Sequence, residues 1–353
     1  MDDLRKFYKN KKIFITGHTG FKGSWLVSVL LNFGARVTGF SLNDPKRKNY
    51  ELFTDHKNVK NIYGNILNYK KLKKSIFKFK PDIIFHLAAQ SIVADSYKDP
   101  YNTFQTNLMG SINLIDICNQ YKYLKSLVLI TSDKCYKNLE IKRGYKEDDI
   151  LGGEDPYSAS KAATEIVFSS YFKSFLNKKK CGFSTVRAGN VIGGGDWSNN
   201  RIIPDCVRSI INKKELVLRN PNSTRPWQHV LEPISGYLLL AQKNYENTKK
   251  FSGAWNFGPA VNETKKVIDV VNLLSRYIEK KIKIKFTKSF FNEAKLLKLN
   301  SSKAIAYLKW KPKWNMKQSI IQTALWYKEF FNNSNMIKVT KHQINNYFSK
   351  KLK

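Results

Sequence analysis

Cysteine is scarce in this chain. Its 353 residues hold four, Cys118, Cys135, Cys181 and Cys206, scattered and without a C-x-x-C pair. That pattern excludes a disulfide framework and a zinc ribbon, and no metal is expected. No apolar run approaches the ~18 residues that span a bilayer. The opening Met1-Asp2-Asp3-Leu4-Arg5-Lys6 has no signal-peptide core, so the expected location is the cytoplasm. Acids are also few: 27 Asp and Glu stand against 62 Lys and Arg, a formal charge of +35. The lysines are spread along the chain amid Asn and Ile, with no RRM, helix-turn-helix or zinc-finger signature, so no nucleic-acid partner is expected. A positive field suits an anionic small substrate. Repeats and low-complexity linkers are absent too. Hydrophobic content of 42% and aromatic content of 13% fit a globular enzyme with one large and one smaller domain.

What is present begins with glycine. Lys12-Ile13-Phe14-Ile15-Thr16 predicts a short buried strand. Gly17-His18-Thr19-Gly20-Phe21-Lys22-Gly23 follows, then an apolar helical run from Ser24 to Phe33. A strand, a glycine turn and a helix N-terminus form a place for a dinucleotide pyrophosphate. The spacing is G-x-x-G-x-x-G rather than the G-x-G-x-x-G fingerprint.

The second feature lies downstream, in Gly152-Gly153-Glu154-Asp155-Pro156-Tyr157-Ser158-Ala159-Ser160-Lys161. Pro156 suits a first helical turn. Tyr157 and Lys161 then share one helix face. An ammonium one turn away is expected to lower the phenol's pKa and make it a proton acceptor. Alone, a Y-x-x-x-K is usually an exposed pair; after a dinucleotide turn it points to hydride chemistry.

The rest of the chain predicts alternating strands and helices. Strands are expected at Arg36–Phe40, Val59–Tyr63, Pro81–His86, Ser126–Ile130 and Gly182–Arg187, as in a parallel sheet covered on both faces. The second strand ends Ser41-Leu42-Asn43-Asp44-Pro45, with its acid displaced. Arg47 and Lys48 suit either a 2′-phosphate or solvent, so the residues leave NAD and NADP open. Asn68 predicts a helix cap. His86 reads as a packed core histidine. Gly193-Gly194-Gly195 offers backbone N–H groups to a phosphate or forms a flexible turn.

The two motifs resemble the extended short-chain dehydrogenase/reductase family, the NAD-dependent epimerases and dehydratases, from about Lys11 to Tyr327. The resemblance is sharpest to the dehydratases of CDP-linked glucose. It rests on Gly17 to Leu26, on Thr131-Ser132-Asp133-Lys134-Cys135-Tyr136, on Arg187 to Trp197, and on Arg225-Pro226-Trp227-Gln228-His229-Val230. Many sugar-nucleotide dehydratases carry Asp-Glu where Asp133-Lys134 stands, and epimerases carry neither.

The resemblance implies an α/β fold: a Rossmann-type, doubly wound parallel sheet with a smaller mixed α/β substrate domain. It implies an NAD-binding domain over 1–188 with returning segments near 230–257, a substrate domain over 189–330 and a basic tail over 331–353. It implies that Tyr157, Lys161, Ser132, Asp133 and Lys134 are catalytic. Tyr157 takes the 4-hydroxyl proton, Lys134 takes the C5 proton, and Asp133 protonates the departing 6-hydroxyl. That scheme needs Asp133 protonated and Lys134 neutral part of the time.

NAD contacts are implied for Gly17, His18, Thr19, Gly20, Phe21, Lys22, Gly23, Asn65, Ile66, Leu87, Ala88, Ala89, Gln90, Asn107, Tyr157 and Lys161. Substrate contacts are implied for Ser91, Asn190, Arg201, Arg225 and Glu293, with a guanidinium matching the pyrophosphate. A homodimer or homotetramer is the expected assembly. The competing readings are a GDP- or dTDP-sugar dehydratase, an epimerase of this fold, and a catalytically silent nucleotide- or nucleic-acid-binding protein.

Overall fold

The computed structural model describes residues 2–44, 49–260, 263–287 and 296–349. Seven strands form its central sheet: β1 (Lys12–Thr16), β2 (Arg36–Ser41), β3 (Val59–Tyr63), β4 (Ile83–His86), β5 (Ser126–Ile130), β6 (Gly182–Ala188) and β7 (Gly253–Phe257). In space they run β7-β6-β5-β4-β1-β2-β3, and every neighbouring pair is parallel. The order reverses between β1 and β4. That reversal opens a crevice at the strands' C-terminal ends, where ligands bind in such sheets.

The strands are short and apolar because both faces are covered. Alternate side chains enter opposite cores, following the two-residue period of a strand. Ile13 and Ile15 join one core, with Phe85, Val128, Ile130 and Val186. Phe14 joins the other, with Ile84, Leu127, Leu129 and Phe183. The first core is closed by α1 (Phe21–Asn32) and by α2 (Leu231–Glu246), whose Tyr237, Leu238 and Leu240 are fully buried. On the second face lie Leu114 and Ile117 of Gly110–Gln120 and Phe168 of α3 (Pro156–Ser174).

Three small strand pairs lie outside this sheet: Val191–Ile192 with Gln228–His229, Leu216–Leu218 with Ile284–Phe286, and Thr224–Arg225 with Lys265–Lys266. Helix Val267–Ile278 buries Val270, Val271, Leu274 and Ile278 on one stripe. No helix among the described residues is long and apolar enough to cross a membrane.

Two stretches carry more than the sequence shows. The basic tail contains a thirteen-residue helix, α4 (Met336–Phe348), that buries Met336, Thr340, Gln343, Ile344, Tyr347 and Phe348. Lysine and asparagine between these residues hide its period in the sequence. The second is Gly193-Gly194-Gly195. A Cβ on Gly194 would lie 2.0 Å from the Trp326 ring, and one on Gly195, whose φ is +75°, would lie 2.4 Å from Phe53. These glycines admit aromatic rings into the core.

Candidate active site

The glycine turn is built for close approach. Gly17 has φ +72°, and a Cβ there would stand 2.6 Å from the Ala88 N at the end of β4. Gly17 N–H donates to the Phe40 carbonyl at 2.8 Å, tying the turn to β2. A Cβ on Gly23 would collide with the Gly17 carbonyl at 2.2 Å, so only glycine lets α1 start this near the turn. Gly20 caps α1, and neither a capping side chain nor a first-turn acid competes for the helix's N–H groups. An uncapped N-terminus at a sheet crevice fits a pyrophosphate. Lys22 adds a half-buried cation in the same turn. Burial brings its amine down to about 8, reinforced by Arg201 and opposed by Asp133.

Other turn residues face inward. His18 is fully buried, with Nε2 2.9 Å from Asn61 Oδ1 and its ring packed on Gly39. Burial pulls its pKa down to about 4, so it is a neutral plug between the turn and β2. Thr19 Oγ1 donates to Ser41 Oγ at 3.0 Å, where strand β2 ends without an acid. Phe21 is buried in the core. Leu87 to Gln90 continue β4 past the crevice, with Leu87 N–H on the Thr16 carbonyl at 3.0 Å. Asn65 is exposed and accepts from Leu67 N–H at 2.9 Å, while Ile66 is buried against Gly110. His86 is a core histidine, 2.6 Å from Thr16 Oγ1 and 3.1 Å from Ser111 Oγ.

Asn107 lies in a π-helical turn, Gln105–Met109. Its amide donates to the Gln90 carbonyl at 3.0 Å and to Ser160 Oγ at 2.8 Å, and its carbonyl accepts from Gln90 N–H at 2.8 Å. Both donors are committed, so Asn107 pins the crevice loop to α3.

The five catalytic candidates converge at the C-terminal end of β5 and the start of α3. Asp155 caps α3, accepting from Ser158 N–H at 2.9 Å, and Pro156 opens it. Tyr157 N–H donates to Ser96 Oγ at 3.2 Å. Ser132 Oγ donates to Asp133 Oδ1 at 2.9 Å, and Ser132 acts on the neighbouring Tyr157 phenol. Asp133 is 5% exposed, and burial raises its pKa, opposed by Lys134, Ser132 and Lys22. Lys134 is half-buried beside it. The direction at Asp133 suits an acid held in its protonated form.

Tyr157 departs from expectation. Burial pushes its pKa up to about 12, although Ser132 and the Arg201 charge pull it down. Lys161 is itself enclosed, with Nζ 3.5 Å from the Ile130 carbonyl, and burial brings it down to about 8. Desolvation outweighs these influences, and the phenol is not lowered.

Of the substrate candidates, Arg201 lies nearest the chemistry. It stands before helix Ile202–Ile211, pairs with Asp196 at 3.2 Å, and its charge acts on Tyr157 and Lys22. Arg225 lies on the strand paired with Lys265–Lys266 and donates to the Thr224 carbonyl at 2.9 Å. Asn190 adjoins Val191–Ile192, its carbonyl accepting from Gln228 N–H at 3.0 Å. Ser91 is exposed on the crevice loop. Glu293, like Arg47 and Lys48, lies outside the described residues. Sequence reasoning missed Asp196, the partner of Arg201, and Glu165, which follows Lys161 by one turn on the same face. The i, i+4, i+8 spacing of Tyr157, Lys161 and Glu165 was the available signal.

Comparison with known proteins agrees with this fold. The family model described as GDP-mannose 4,6 dehydratase matches residues 14–323. The CDP-glucose 4,6-dehydratase of Salmonella typhimurium is 41% identical over 352 residues, covering 98% of each chain. An epimerase from Methanothermobacter thermautotrophicus has a similar structure, with a TM-score of 0.81 at 21% identity, covering 94% of this chain and 96% of its own. So does dTDP-glucose 4,6-dehydratase from Bacillus anthracis in complex with NAD, with a TM-score of 0.76 at 23% identity, covering 94% and 99%.

Proposed function

This chain belongs to the GDP-mannose 4,6 dehydratase family, and on that premise we propose that it is an NAD-dependent CDP-glucose 4,6-dehydratase, a hydro-lyase. It converts CDP-glucose to CDP-4-keto-6-deoxyglucose and water. The observation that carries the reading is Ser132, bonded to the buried Asp133 and set beside the Tyr157 phenol, whose pKa it pulls down. That placement joins a dehydrogenase pair to an acid placed for elimination. The cytidine nucleotide is supported by the 41% identity to the Salmonella enzyme over 98% of both chains.

When bound, NAD supplies the acceptor and donor of hydride for sugar carbons C4 and C6. Gly17, Gly20 and Gly23 give its pyrophosphate access to the α1 N-terminus, and Lys22 offers a charge there. Tyr157 takes the proton of the 4-hydroxyl while Ser132 bonds the same oxygen. The resulting 4-ketone acidifies C5–H. Lys134 removes that proton, and protonated Asp133 gives its proton to the leaving 6-hydroxyl, so water departs. Arg201 and Arg225 bind the substrate pyrophosphate. The smaller strand pairs and helices after residue 189 form the sugar-nucleotide side of the crevice.

We place the enzyme in the cytoplasm, working towards deoxysugars of surface polysaccharide. A homo-oligomer is supported by Tyr97, Tyr101, Met109 and Ile166, which are exposed on neighbouring elements. The test is turnover of purified protein with CDP-glucose, beside dTDP-glucose, UDP-glucose and a GDP-sugar, reading the 4-keto-6-deoxy product. Product from CDP-glucose alone, without external oxidant, is expected. Product from another nucleotide overturns the substrate, and none from any overturns the reaction.

A further inference from the structure

Beneath the catalytic groups lies a closed polar network. Glu165 is 3% exposed and Arg187 is 3% exposed. Glu165 Oε2 accepts from Arg187 Nη2 at 2.9 Å and from Thr185 Oγ1 at 2.7 Å, while Oε1 accepts from Arg187 Nε at 3.0 Å and from Thr131 Oγ1. Four bonds fill the carboxylate, two from the Arg187 fork and two from threonine hydroxyls. Arg187 Nη1 donates onward to Tyr136 Oη at 2.6 Å, and Tyr136 Oη donates to Asn256 Oδ1 at 2.9 Å. The guanidinium also lies 4.7 Å from the Tyr136 ring centroid.

The ends of this network decide its meaning. Glu165 follows Lys161 by four residues and Tyr157 by eight, so the three share one face of α3. Thr131 directly precedes Ser132, Asp133 and Lys134, and Tyr136 closes the same segment. The network therefore bolts the helix bearing Tyr157 and Lys161 to the strand end bearing Asp133 and Lys134. It also sets the charge at Lys161. Burial lowers the ammonium's pKa, and Glu165 is the largest opposing influence, with Cys135 second. Lys161 in turn presses on Lys22 and His86, which face it from α1 and β4. Burial would raise the Glu165 carboxyl, yet Arg187, Thr131 and Thr185 bring it below its ordinary value, so it is anionic.

Resting on the dehydratase reading, we infer that Glu165, forked to Arg187, is a positioning residue for the reaction: it keeps the Lys161 ammonium charged beside Tyr157 and fixes the oxidation groups against the elimination groups. A buried ion pair as such is weak support for stability, because desolvation cancels most of its attraction. Its placement under Lys161 gives it a task that an apolar pair would not perform.

The test is Glu165→Gln, read two ways. The ε-¹³C resonance of Lys161, identified by its loss in Lys161→Met, reports its titration with no substrate present. The expected result is a titration moved to lower pH. In single turnover with CDP-glucose, the alkaline limb of NAD reduction should move the same way, about tenfold slower near pH 8. KM should change little, and Glu165→Asp should restore the limb. Where Glu165→Gln strands the Arg187 charge and does not fold, Glu165→Gln with Arg187→Met removes both charges together. An unchanged Lys161 titration in a folded variant overturns the inference, whatever wild-type turnover shows. Absence of turnover by wild type overturns the dehydratase reading instead.

Discussion

The Ser132 hydroxyl donates to Asp133 Oδ1 at 2.9 Å and stands beside the Tyr157 phenol, whose pKa it pulls down. One side chain thus couples the group proposed for oxidation to the group proposed for elimination. Ser132→Ala should slow both steps, by about 10²-fold for the first, because it removes a bond at the reacting oxygen and frees the Asp133 carboxyl. Rapid-mixing absorbance of the reduced cofactor and product formation give the two rates. A defect confined to one step would contradict the coupling.

Tyr157→Phe and Lys134→Ala should separate the halves of the cycle. The first should abolish cofactor reduction by at least ~10²-fold while nucleotide-sugar binding persists. The second should still reduce the cofactor on mixing but hold it reduced, with no solvent deuterium entering C5. Lys134→Ala releasing water at the wild-type rate would remove Lys134 from the mechanism.

Most of the large sheet is legible in the sequence because its strands are short apolar runs buried on both faces. The strands at 12–16 and 126–130 fall where those runs lie, and the half-exposed edge strand at 59–63 also falls where the sequence predicts one. Asn68 caps its helix as its position suggests, accepting from Lys71 N–H at 3.0 Å. The five catalytic candidates are legible too, because each sits at a fixed offset from a strand end or a helix start. The protonation state of Tyr157 is not. It depends on how completely residues far along the chain enclose the phenol, and spacing carries no measure of that enclosure. The task of the 193–195 glycines is hidden likewise, since their partners Phe53 and Trp326 are remote in sequence.

Glu232 gives a pH signature. It is fully buried and accepts from Lys313 N–H at 3.0 Å, Trp314 N–H at 2.8 Å and Tyr347 Oη–H at 2.7 Å. Burial raises its carboxyl from 4.5 to about 7, against the pull of those bonds. A raised acid adds stability that is full below pH 4.5 and is lost as pH climbs through 7. The loss is on the order of 3 kcal/mol. Between about pH 5 and 8, wild-type Tm should therefore fall more than that of Glu232→Gln. Parallel Tm curves from scanning fluorimetry would refute this.

Gly194→Ala tests the aromatic core. The new methyl would stand 2.0 Å from the Trp326 ring. Overpacking should cost about 1–3 kcal/mol or more. Denaturant unfolding should show it, and Trp326→Leu should relieve part of it in the double variant.

The helix Met336–Phe348 has a consequence for how the protein is made. Phe348 packs edge-on against Phe33 at 5.0 Å, and Asn345 Oδ1 accepts from Arg5 at 2.9 Å and Asn32 at 3.0 Å. The face formed by Arg5, Asn32 and Phe33 is thus covered by residues more than three hundred positions later in the sequence, so during synthesis it stays uncovered until that helix has emerged.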